Sequence, residues 1–202
     1  MCRFFYFVSI CVVFSITSCV TIVAPYLGIK ENNKEPRVEQ INFIAKYSFD
    51  TSFCFTIRPD MVDSFSYSSR YAINLRKLQH RVEASPLQFR CYSSNGDLIT
   101  GWSQCFGSLR RYGYFDSFPI SHNPMLIINT DLHFNTDVKL IDATDYQILS
   151  LQKCCEENEI TIMVFWAAWT GYYNKRMLEE IDQFVIRNSQ HKIGVILVNT
   201  TT

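Results

Sequence analysis

The sequence predicts an α/β chain in which a β-rich N-terminal region precedes a strand–helix–strand unit. Three observations carry that prediction. Ile160–Phe165 is a nearly continuous apolar run, the pattern of a strand buried on both faces. Downstream, Leu178, Ile181, Phe184 and Val185 share one face of a helix, with Glu179, Glu180 and Asp182 off it. Upstream, residues 40–120 are rich in aromatic and β-branched residues and contain an Asn-Gly turn signal.

A chain of 202 residues with 48% hydrophobic and 19% charged residues can bury a core, so disorder is not the default. Lys plus Arg and Asp plus Glu both total 19, a net charge of zero that gives no reason to expect nucleic acid as a partner.

The elements follow in order. Arg3 is the lone positive charge before an apolar run from Phe4 to Ile16. That run is shorter than the roughly 20 apolar residues of a membrane span and suits the core of a signal peptide. It ends in Ile16-Thr17-Ser18-Cys19, which resembles the lipobox of bacterial lipoproteins. The resemblance implies a signal peptide over residues 1–18 and acylation of Cys19. It also implies a location in the bacterial cell envelope, held to a membrane by lipid and facing the periplasm or the cell exterior. An uncleaved signal anchor reaching about Tyr26 and a plain secretory signal are the alternatives. Residues 19–39 read as a tether, since Gly28–Arg37 is polar and interrupted by Pro36.

Within the β-rich region, 40–134, Phe49, Phe53, Phe55 and Ile57 alternate and predict a strand over Phe49–Ile57. Ala72, Leu75 and Leu78 predict a short helix over Ser69–His80. Leu87–Tyr92 and Leu98–Trp102 flank Ser94-Asn95-Gly96-Asp97 and predict a β-hairpin. Pro119 and Pro124 bracket His122 in a connecting loop. In the C-terminal unit, 135–202, Val138–Asp142 and Gln147–Leu151 read as a pair of short strands, and Glu156–Glu159 as a polar break. Ile160–Phe165 is the buried strand, a helix follows that ends near Asn188, and Lys192–Val198 is a second buried strand parallel to the first.

Little in this sequence resembles a catalytic or metal centre. His80, His122 and His133 lack the spacing of a metal pair, so no metal and no cofactor is expected. Arg110-Arg111 beside Tyr112 and Tyr114 reads as a solvated turn, with an anion or sugar grip as the alternative. Of eight cysteines, Cys2 and Cys11 lie in the signal and Cys19 carries lipid, leaving Cys54, Cys91, Cys105, Cys154 and Cys155. Cys91 and Cys105 flank the hairpin and form a possible disulfide, which geometry decides.

The order of elements after residue 135, with Phe165-Trp166-Ala167-Ala168-Trp169-Thr170-Gly171-Tyr172-Tyr173-Asn174-Lys175 closing the first strand, resembles the thioredoxin superfamily. The likeness is to the membrane-anchored extracytoplasmic thiol–disulfide oxidoreductases, whose motif reads Phe-Trp-Ala-x-Trp-Cys-Gly-Pro-Cys-Lys. The resemblance implies a partial thioredoxin-like βαβ unit over about residues 137–202. Thr170 and Tyr173 stand at the two cysteine positions, and Tyr172 at the proline. A dithiol reaction needs a thiolate, which neither Thr nor Tyr supplies. The expectation is a non-redox domain, with Thr170 capping the helix. Trp166, Trp169, Thr170, Gly171, Tyr172 and Tyr173 would form a face for a protein or peptide. Two alternatives stay open: an oxidoreductase or peroxidase using other cysteines, and a truncated inactive homologue. A thioredoxin fold continues with a helix and a hairpin, whereas this chain stops just after the second strand. The missing sheet comes from residues 40–120, or from a partner, or the unit is a fragment.

Overall fold

All seven residues of one strand, Ile160–Trp166, are buried, and the molecule is arranged around that strand. The computed structural model describes residues 37–61, 87–103, 115, 117–118, 120, 133–167 and 170–200. In chain order the elements are α1 (Arg37–Ile44), a 3-10 turn (Thr51–Phe53), β1 (Cys54–Ile57), β2 (Gln88–Ser93) and β3 (Leu98–Ser103). There follow α2 (Phe134–Val138), β4 (Ile141–Asp142), α3 (Asp145–Glu157), β5 (Ile160–Trp166), α4 (Tyr172–Arg187) and β6 (Ile193–Asn199).

The described strands form a six-stranded sheet in the order β3-β2-β5-β6-β1-β4. The β5, β6 and β1 strands run parallel. Against them, β2 is antiparallel to β5, β3 to β2, and β4 to β1. The fold is therefore α/β, as the sequence predicts. Strands from both sides of residue 134 share this sheet, with β5 and β6 lying between β2 and β1.

Side chains alternate across a strand, so each buried strand feeds two cores. On one face Phe89, Cys91, Ile162, Val164, Trp166 and Leu197 pack with Ile44 of α1 and Met177, Leu178, Ile181 and Phe184 of α4. On the other face Tyr92, Met163, Phe165, Ile196 and Val198 meet Phe134 and Val138 of α2 and Leu151 and Cys155 of α3. Helices thus cover both faces, which is what parallel strands without a solvated side require.

Among the described strand residues, one carries a buried charge. Arg90 in β2 is 4% exposed, and its guanidinium donates to the Asp137 carboxylate of α2, itself 1% exposed. The Tyr92 hydroxyl donates to the other oxygen of Asp137. The Nε and Nη2 groups of Arg90 donate to Gln88 Oε1 at 3.1 and 3.0 Å, and the guanidinium lies 5.0 Å from the centre of the Phe165 ring. Burial alone pulls the Arg90 pKa down, but the Asp137 charge and the hydrogen bonds outweigh it, and the net shift is upward. Burial, followed by the Asp137 charge, pushes Tyr92 well above the ordinary phenol range, so it stays a neutral donor.

Several expected elements differ. Gln147–Leu151 is helical, inside α3, rather than a strand. The Thr144 side chain accepts from Gln147 N at 3.4 Å while Gln147 Oε1 accepts from Thr144 N at 2.9 Å, a reciprocal cap that starts a helix. Val138 ends α2, and the strand expected over Val138–Asp142 shrinks to Ile141–Asp142. The strand expected from Phe49 begins only at Cys54, because the Asp50 carboxylate accepts from Ser52 N at 2.9 Å and winds the preceding turn. The span given to the tether is also shorter than expected, since α1 begins at Arg37, inside it. Asp182, placed off the apolar face, is 9% exposed and accepts from Ser48 N at 2.7 Å and Ser48 Oγ at 2.6 Å. The hairpin is as expected, with Gly96 at φ 84° in its turn. Residues 1–36, the helix expected over Ser69–His80, and Arg110, Arg111, Tyr112, Tyr114, Pro119, His122 and Pro124 lie outside the described residues.

Removing one partner of a buried ion pair strands the other, so Asp137→Ala is expected to lower stability by about 3–5 kcal/mol. The double change Arg90→Met with Asp137→Leu is expected to recover most of that loss. Urea unfolding midpoints of the three proteins check both statements.

Candidate functional site

The residues singled out by the motif sit where β5 ends and α4 begins. Trp166 closes β5 and is 1% exposed, so it is core rather than contact surface. Phe43 of α1 stacks on it, ring centres 5.7 Å apart and planes 19° apart. Thr170 is also buried and does not cap the helix as expected. Its hydroxyl donates to Ala167 O at 2.6 Å, and its backbone N–H donates to the same oxygen at 3.0 Å. The N-cap of α4 is Gly171, at φ 54° and ψ −118°, a conformation open to glycine and strained for other residues. It provides no side-chain cap. Trp169 lies outside the described residues.

The two tyrosines behave differently. Tyr173 is half-buried against the core that contains Trp166 and Met177. Tyr172 is 46% exposed, edge-on to Tyr173 with ring centres 5.7 Å apart. Arg176, one turn on, donates from Nη1 to the Tyr172 hydroxyl at 2.8 Å and holds its guanidinium 5.9 Å from the ring centre. Sequence reading missed Arg176, although its i, i+4 spacing from Tyr172 was a usable signal. It also missed Asn174, which is 1% exposed in the first turn of α4.

The described thiols lie elsewhere, and all four are free. Cys91 is fully buried in β2; its candidate disulfide partner Cys105 lies outside the described residues. Burial raises the Cys91 pKa strongly and lifts Cys54 to about 11. Cys154 and Cys155 fall in the last turns of α3, where the helix dipole is negative and opposes a thiolate. Burial, then the neighbouring Cys155, raises Cys154 to about 11. Burial also raises Cys155, whose Sγ donates to Ser93 O at 3.3 Å. None of these positions resembles an activated thiol.

His133 is occupied structurally: its Nδ1 accepts from Asn135 N at 3.3 Å, capping α2, and its Nε2 lies 3.1 Å from Asn95 O. Beside it is an open cleft of about 160 Å³ lined by residues that include Asn95, His133, Asn135, Gln152 and Glu156. Sites for small organic ligands span about 300–1,000 Å³, so this one is undersized for them. Among the described residues no three His, Cys, Asp or Glu side chains converge as metal ligands. Among the same residues no helix is long and apolar enough to cross a membrane.

No family model matches the chain, and no curated protein or solved structure shows significant similarity to it.

A thiol with a pKa of about 11 is thiolate to only about one part in a thousand at pH 8. Alkylation of Cys54 and Cys154 in the folded protein is therefore expected to be slow at pH 8 and to rise about tenfold per pH unit up to pH 10. Mass spectrometry after timed iodoacetamide labelling checks this.

Proposed function

We propose that this chain is a bacterial envelope lipoprotein, anchored through Cys19, whose thioredoxin-like domain binds polypeptide without redox catalysis. The observation that carries the reading is the sheet around β5. In the thioredoxin fold the motif strand is flanked on one side by a parallel strand reached through the helix. On its other side is an antiparallel strand belonging to a hairpin. Here β6 is the parallel neighbour and the β2–β3 hairpin the antiparallel one, although the hairpin comes earlier in the chain. Its strands fall within residues 40–120, one of the sources open at the sequence level.

Three further points support the non-redox part. Thr170 and Tyr173 stand at the positions of the redox cysteines, the Thr170 hydroxyl is engaged by Ala167 O, and the described thiols are all shifted away from the thiolate. Tyr172 supports the binding part: it is a large exposed aromatic side chain at a helix start, the type that anchors protein contacts. The contact face is accordingly narrower than the motif, with Tyr172, the exposed part of Tyr173 and Arg176 in it and Trp166 beneath.

The test is capture of peptides from an immobilised array by the full chain and by Tyr172→Ala. The loss of one aromatic anchor is expected to weaken capture by about tenfold or more. Equal capture by both proteins overturns the reading. In a parallel arm, Thr170→Cys with Tyr173→Cys is expected to gain insulin-reducing activity that the natural chain lacks.

A further inference from the structure

The first turn of α4 gathers backbone donors and positive charge, and no side chain caps it. Gly171 brings no side chain to the N-cap, no side chain caps the helix, and the first turn holds no acid. That is the end of a helix where the dipole favours an anion. Cations follow instead. Lys175 has Glu179 at 3.6 Å. Arg176 has the Tyr172 hydroxyl, and no acid partner among the described residues.

Asn174 is an independent sign at the same place. It is 1% exposed, and both Oδ1 and Nδ2 of its carboxamide are without a hydrogen-bond partner among the described residues. Stranding a buried amide in this way is costly. Cα–Cβ bonds in a helix tilt toward its N-terminus, so a side chain from the third helical position leans back over the turn closed by Thr170 and Gly171. Trp166, at the end of the preceding strand, has an indole N–H that is likewise unpartnered among the described residues.

We propose that the N-terminal turn of α4 binds a carboxylate of a polypeptide ligand. The first-turn N–H groups and Asn174 Nδ2 donate to it, and Arg176 supplies the opposite charge. The inference rests on the polypeptide-binding reading and gives that ligand its class: acidic at the contact, through a side chain or a free C-terminus. An apolar ligand alone would leave every one of these donors unmet. Asn174 Oδ1 accepts a backbone N–H of the ligand, which a bare inorganic anion does not offer. Gly171, half-buried, brings no side chain of its own to the approach, and the exposed Tyr172 follows it in the chain.

The experiment titrates the full chain with acetate against chloride at constant ionic strength, following the backbone amide resonances of Tyr172, Tyr173 and Asn174. Saturable shifts with acetate and none with chloride are expected. Arg176→Gln, a surface change, is expected to weaken acetate by about fivefold or more. Asn174→Asp, which brings its own carboxylate to the turn, is expected to abolish the response and raise Tm. Shifts equal in the two salts, or responses unchanged in both variants, overturn the site. Peptides captured in the array are then remade as C-terminal amides, and separately with Asp and Glu replaced by Asn and Gln. Loss on amidation assigns the carboxylate to the chain end, and loss on side-chain replacement assigns it to an acidic residue. Capture unchanged by either overturns the proposal while leaving polypeptide binding intact. Saturable acetate binding in a protein that captures no peptide upholds the anion site and sinks the polypeptide reading.

Discussion

A guanidinium inside the sheet sets the terms for everything packed on that face. Arg90 cannot be buried without Asp137, and Asp137 cannot reach it unless α2 lies against β2. Tyr92 then satisfies the second carboxylate oxygen, and Gln88 takes the remaining guanidinium edge. These three β2 residues alternate with Phe89 and Cys91, which belong to the opposite core. A slip of one residue in the β2–β5 register would send the charge into an apolar layer and the phenylalanine toward a carboxylate. The cost of either error is far larger than the difference between two apolar registers. Whatever the pair contributes to net stability, it excludes the alternatives.

How far the sequence could be read depended on whether period and length agreed. Ile160–Trp166, Tyr172–Arg187 and Ile193–Asn199 have both, and each lies within a residue or two of where the pattern puts it. The Asn95-Gly96 turn was readable because φ of 84° selects glycine almost by itself. Gln147–Leu151 was misread because five residues with three apolar ones suit either period. The deciding signal was Thr144 three positions before Gln147, a local cap rather than a hydrophobic pattern. Arg90 and Asp137 were opaque for another reason: each alone looks like a solvated charge, and only folding joins positions 47 residues apart.

The site shows the same division. That no cysteine stands at 170 or 173 was visible in the letters. That Trp166 lies under Phe43 was not, since the covering ring comes from a helix near the other end of the described chain. The capping role expected of Thr170 failed because its hydroxyl is taken by Ala167 O one turn earlier, leaving glycine at the N-cap. What remains at the surface is a tyrosine braced by an arginine.

The strand order also governs the timetable of folding. The β2–β3 hairpin closes through a short turn, an event of microseconds. Both of β1's neighbours come much later: Cys54 aligns with Leu197 and Ile57 with Ile141. The central strand of the sheet, β5, is synthesised after the hairpin it must join. A chain built this way cannot consolidate from its N-terminus forward; it carries unpaired strand edges until its last described strand is available. Distant pairings of that kind slow folding, because loop closure must precede any reward from contact. The window in which those edges are open is when the polypeptide is most exposed to association or to a chaperone that shields it.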